Sequence, residues 1–120
     1  MRGKGLSMTL VNCKTNISSD KNEITKFFDK VVNLITMNKL GKLVINEGSE
    51  SLPGLSAVQM IETSHIALHT FSNNNCYMFS VESCKSFDAS KLTLYLMDYF
   101  GPKTCSTTVY DIKLPKNVEK

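Results

Sequence analysis

Between Gly54 and Ser83 the chain offers three strand-like runs with almost nothing between them. Gly54–Ile61 reads as one strand. Ile61–Thr70 follows at once as another. Cys76–Ser83 alternates, with Tyr77, Phe79 and Val81 on one side and Met78 and Ser80 on the other. Phe71–Asn75 is a short polar connection suited to a hairpin. Parallel strands need a crossover of a dozen residues or more, so connections this short predict antiparallel pairing.

The flanking segments extend that sheet. Leu6–Val11 alternates loosely as a first strand, and Asn12–Ser19 is polar and turn-like. Asp20 with Glu23 three residues on resembles a capping box. Ile24, Phe27, Phe28, Val31, Leu34, Ile35 and Leu40 then recur at helical spacing up to Gly41, which predicts a helix over that span. Lys42–Asn46 is a short strand and Glu47–Pro53 a loop. Asp88 caps a second predicted helix with an apolar face of Leu92, Leu94, Leu96, Met97 and Phe100, ended by Gly101-Pro102. Thr104–Leu114 is a last strand, and Pro115–Lys120 a frayed tail. The order β-α-β-β-β-β-α-β predicts an α+β, two-layer sandwich: an antiparallel-rich sheet with two helices on one face. Its other face would be partly apolar, and a second copy covering it makes a homodimer the natural expectation.

At 120 residues the chain is expected to form one domain, residues 1–120, large enough for a real core. The net charge of +3 is mild and its basic residues are scattered, so no nucleic-acid face is expected; Arg2 and Lys4 read as a solvated terminus. No apolar run reaches the roughly 20 residues that span a bilayer, and no secretory signal is seen, so a cytoplasmic location is expected. The four cysteines, Cys13, Cys76, Cys84 and Cys105, are then expected as thiols.

Within this frame Ile61–Thr70 is unusual. It holds Glu62, Thr63, Ser64, His65, His69 and Thr70 in an otherwise apolar strand, and each polar group left buried without a partner would cost about 1–3 kcal/mol. His65 and His69 would lie about 13 Å apart on a strand, too far to share one ion, so no metal site is expected. Ser64 with His69 as nucleophile and base would need an orienting acid, an oxyanion hole and a G-x-S-x-G elbow, and no such elbow is present. Taken one at a time, these residues fit a soluble α+β domain with a polar strand.

Together, however, Ser64-His65-x-x-x-His69-Thr70, preceded by Gly54-Leu55-Ser56 and followed by Cys84, resembles the short bacterial and archaeal S-adenosylmethionine decarboxylase proenzymes over nearly the whole chain. The resemblance implies a self-processing enzyme of polyamine and spermidine synthesis. Cleavage between Thr63 and Ser64 would leave a β chain (1–63) and an α chain (64–120) headed by a covalent pyruvoyl group made from Ser64. That group holds the substrate amine as a Schiff base and serves as the electron sink that pyridoxal phosphate supplies elsewhere. By the same resemblance His69 is the proton acceptor in processing, Ser56 assists the acyl shift, and Cys84 returns a proton after decarboxylation. The small-molecule substrate implied is S-adenosylmethionine, turned over by a homodimer of processed αβ protomers.

The chain departs from the family pattern at several places. Thr63 stands where the family has Glu. Phe71-Ser72-Asn73 replaces Trp-Pro-Glu, whose Glu grips the ribose, and the family's aromatic residue that stacks on the adenine falls near Glu50. Glu50, Phe71 and Asn73 are thus the candidate substrate-binding residues. These departures leave two alternatives open: a pyruvoyl-dependent ornithine or arginine decarboxylase, or an unprocessed, non-catalytic relative that binds or regulates a partner.

Overall fold

The computed structural model describes residues 2–115. Its elements are β1 (Arg2–Val11), α1 (Lys21–Leu34), β2 (Val44–Glu47), β3 (Leu55–Ile61), β4 (Ser64–Phe71), β5 (Cys76–Ser83), α2 (Ala89–Phe100) and β6 (Thr104–Lys113). The strands form one six-stranded sheet, ordered β2-β3-β4-β5-β1-β6, with every neighbouring pair antiparallel. The expected element order and the α+β sandwich are both seen.

Period-two alternation divides the sheet into two faces. Leu6, Met8 and Leu10 of β1, Ile66 and Leu68 of β4, and Tyr77, Phe79 and Val81 of β5 are buried beneath the helices. Helix α1 contributes Ile24, Phe27, Phe28, Val31 and Val32 to the same layer, and α2 contributes Leu92, Leu96 and Phe100. Phe27 joins the two helices to the sheet, with its ring centroid 5.3 Å from Phe100 and 6.0 Å from Phe79.

Both predicted caps form. The Asp20 carboxylate accepts from the Glu23 N–H and that of Asp88 from the Lys91 N–H. The helix bounds need correction. Helix α1 stops at Leu34, well before Gly41, because Thr36 adopts φ 58° and the Ile35 N–H closes the last turn. The chain then crosses to the sheet, where the Leu40 N–H donates to the Met60 carbonyl and Leu40 is half exposed. On α2, Leu94 (68% exposed) and Met97 (41%) lie off the buried face, which Ala89 joins instead.

Strand β1 begins at Arg2, which is exposed as expected and pairs with Lys113 of β6, while Lys4 is half-buried. The second strand runs Val44–Glu47 and the last ends at Lys113, while β4 starts at Ser64 because Glu62-Thr63 forms the turn of the β3–β4 hairpin. Of the expected tail, residues 116–120 lie outside the described residues. The face of the sheet away from the helices exposes Val44 and Val58, which are register partners, together with Met60 and Met78.

Candidate active site

The site begins at the β3–β4 turn. Ile61 and Ser64 are register partners, which leaves Glu62 and Thr63 as a two-residue connection with Thr63 at φ 53°. A β-branched side chain disfavours that left-handed conformation, so the residue before Ser64 is under backbone strain. Glu62 is fastened beside it, accepting from the Asn38 amide at 3.2 Å and facing Lys85 Nζ at 3.7 Å.

Ser64 is buried, and its Oγ donates to Ser83 Oγ at 2.8 Å across the β4–β5 pair. Ser83, also buried, accepts from the Lys85 N–H at 3.0 Å and donates to Met37 Sδ. The Ser64 hydroxyl is thereby aimed without being consumed by a strong base. Ser83 escaped the sequence reading, although a signal existed: it continues the Tyr77, Phe79, Val81 register, so it is a hydroxyl at a buried position.

A cavity of about 380 Å³ opens beside this pair. Thr63, Ser64, His65, Glu82, Ser83 and Cys84 line it, with Met60 and Ile112 among its apolar walls. Ser64 and Cys84 therefore share one space.

Ser56 and His69 form the second pair. They are register partners on β3 and β4, and Ser56 Oγ lies 2.8 Å from His69 Nδ1. Gly54 and Thr70 fix this end of the hairpin. Thr70 Oγ1 accepts from the Leu55 N–H at 2.8 Å and donates to the Ser18 carbonyl at 2.7 Å. A Cβ on Gly54, whose φ is +150°, would stand 2.0 Å from the Thr70 carbonyl oxygen, so only glycine fits that approach.

The two pairs do not meet within one chain. Ser64 and His69 are five positions apart, about 16–17 Å of strand, and the odd interval puts their side chains on opposite faces. Ser64 faces inward and His69 outward, on the same open face as His65.

The three candidate substrate contacts are also divided. Phe71 and Asn73 line a small cavity of about 190 Å³ with Leu52 and Pro53, at the Ser56–His69 end of the sheet. Glu50 lines a different one of about 710 Å³, between the start of α1 and the 47–54 loop. That larger cavity holds none of Ser56, Ser64, His69 or Cys84. Its polar groups serve the fold, with Asp20 capping α1 and Lys21 paired to Glu47 at 3.6 Å. Its size is no guide to the chemistry.

Among the described residues no helix is long and apolar enough to cross a membrane. Comparison with known proteins gives the family and the fold. Residues 4–111 match the family model of S-adenosylmethionine decarboxylase. The fold is similar to the crystal structure of the adenosylmethionine decarboxylase from Aquifex aeolicus, with a TM-score of 0.76 and 17% identity over 95% of this chain and 92% of that one. No curated protein sequence matches. With nearly its full length matched, the chain belongs to the S-adenosylmethionine decarboxylase family.

Proposed function

We propose that the chain cuts itself between Thr63 and Ser64 and becomes a pyruvoyl-dependent decarboxylase acting on S-adenosylmethionine. The observation that carries this reading is the state of Ser64: a buried hydroxyl, directly after a strained turn, in a cavity that Cys84 also lines.

Ser64 Oγ would attack the Thr63 carbonyl carbon, and the amide would rearrange to an ester with no net loss of atoms. Removal of the Ser64 α-proton then breaks the ester C–O bond, leaving Thr63 as a free carboxylate and Ser64 as dehydroalanine. Addition of water with loss of ammonia completes the pyruvoyl group. The residues present fit it, because Ser64 needs no cofactor pocket and its hydroxyl is already oriented by Ser83. Once formed, that group supplies the electron sink for decarboxylation of a substrate bound through its amine. Cys84, half-buried in the same cavity, would return a proton to the substrate carbon. The product, decarboxylated S-adenosylmethionine, is an aminopropyl donor for spermidine and other polyamines.

Ser56 and His69 cannot serve their own Ser64, and this supports the homodimer. A two-fold axis lying between two open faces, perpendicular to the strands, reverses strand direction in one copy. The Ser64–Cys84 end of one protomer would then face Ser56 and His69 of the partner subunit. The exposed Val44, Val58, Met60 and Met78 are the apolar surface such a contact would cover. Phe71 and Asn73 of the partner subunit would reach the same cavity, as apolar wall and hydrogen-bonding amide for the nucleoside.

Release of CO₂ from carboxyl-labelled S-adenosylmethionine, ornithine and arginine tests the proposal. Turnover of the first, abolished by Ser64→Ala, is the expected result; turnover by the Ala variant would refute the mechanism. Selective turnover of a basic amino acid would retain the processing and replace the substrate.

A further inference from the structure

Glu82 lines the Ser64 cavity from the open face of the sheet, one residue before Ser83. Tyr110 Oη donates to Glu82 Oε2 at 2.6 Å. The register sets His65, Glu82, Gly5 and Tyr110 in one row across β4, β5, β1 and β6. The Tyr110 ring lies over Gly5, where an added Cβ would stand 2.1 Å from ring Cζ. Strand β1 therefore carries glycine at the point where the ring needs its side-chain space.

The hydrogen bond to Glu82, with a smaller effect of burial, pushes the Tyr110 phenol up to about 12. It remains a neutral donor near pH 7 and holds the carboxylate without cancelling its charge. Among the described residues no lysine or arginine pairs with Glu82, and nearby Lys85 is engaged by Glu62. Leu40, Met60, Ile61 and Ile112 make much of the rest of the cavity apolar. A fixed carboxylate at an apolar cavity suits an organic cation.

We infer that Glu82, positioned by Tyr110, selects substrates carrying a positive charge on the side chain, the sulfonium of S-adenosylmethionine or the ammonium or guanidinium of a basic amino acid. The inference rests on the proposed function for the identity of the site and adds its recognition group. With the reacting amine at Ser64, the charge still to be met is the side-chain one.

Equilibrium binding tests this without requiring turnover. The probes are S-adenosylmethionine, its uncharged thioether S-adenosylhomocysteine, and arginine, with the wild-type chain, Glu82→Gln and Tyr110→Phe. The expected result is that the wild type prefers the tighter-binding cation to the thioether by about tenfold or more. Glu82→Gln should remove the preference while leaving thioether affinity within about twofold, and Tyr110→Phe should reduce it in part. In turnover, Glu82→Gln should raise KM about tenfold with kcat nearly unchanged, a split that general loosening of the fold would not give. Should Glu82→Gln fail to fold, Tyr110→Phe alone decides. A wild type without charge preference, or a preference kept by the folded variants, overturns the inference. A wild-type chain that never cleaves yet discriminates by charge would refute the decarboxylase reading and leave Glu82 as the recognition group.

Discussion

Replacing Thr63 by Gly should stabilise the chain slightly or leave its stability unchanged, and should slow its cleavage. Thr63 holds φ 53°, which costs an L residue about 1–2 kcal/mol and a β-branched one no less. Glycine removes that cost but gives back about 0.5–1 kcal/mol through the greater freedom of the unfolded chain. The net change in stability is thus about 0 to +1.5 kcal/mol. On the proposed mechanism the strain at Thr63 lies next to the Thr63–Ser64 peptide and would relax as the Thr63 carbonyl leaves the amide plane. If all of it relaxes in the transition state, its loss slows cleavage about five- to thirtyfold. The Gly variant also loses the bond from Thr63 Oγ1 to the Glu62 carbonyl, so Thr63→Asn is the control: it keeps a polar side chain in a residue that tolerates left-handed backbone. The fraction of intact chain is followed by mass spectrometry after synthesis in a cell-free system, and thermal melts are recorded on the Ser64→Ala background to hold cleavage out. A Gly variant that cleaves as fast as the wild type would refute the role of strain.

Three further outcomes follow from the same geometry. Ser83→Ala should leave the buried Ser64 hydroxyl without its acceptor, lowering stability by about 1–2 kcal/mol and slowing cleavage about tenfold, as read by melting and intact mass. Gly54→Ala, with its Cβ driven against the Thr70 carbonyl, should cost about 2–4 kcal/mol in denaturant unfolding. The Tyr110 phenol is raised in the folded chain, so its bond to Glu82 is fully present below the unfolded tyrosine range near pH 10 and is lost as pH climbs through about 12. Ultraviolet titration should show one tyrosine moving toward 10 in Glu82→Gln; an unchanged curve would remove that pairing from the account.

Much of the fold was legible because its signals are local. Asp20 and Asp88 cap helices by reaching a backbone N–H three residues on, and Tyr77, Phe79 and Val81 alternate cleanly. Those interactions need no knowledge of distant residues. The end of α1 was not legible, since Ile35 and Leu40 keep helical spacing after Thr36 has turned the backbone left-handed. Leu94 and Met97 look like core on a helical projection, and only the position of the sheet excludes them.

The site divides in the same manner. Ser56, Ser64, His69 and Cys84 could be picked out through the family resemblance, and the face-to-face separation of Ser64 from His69 follows from an odd interval along one strand. The Glu62-Thr63 turn was hidden, because a β-branched residue is a poor predictor of positive φ. The Ser64–Ser83 bond and the Tyr110–Glu82 bond join residues far apart in sequence through strand register, which the sequence reading did not set.

An intact mass spectrum of the purified wild-type chain tests the central claim most directly. The account predicts two fragments, one ending at Thr63 and the other beginning at Ser64 with the mass of a pyruvoyl group in place of the serine amino terminus. A single uncut chain, unchanged after prolonged incubation, would contradict it.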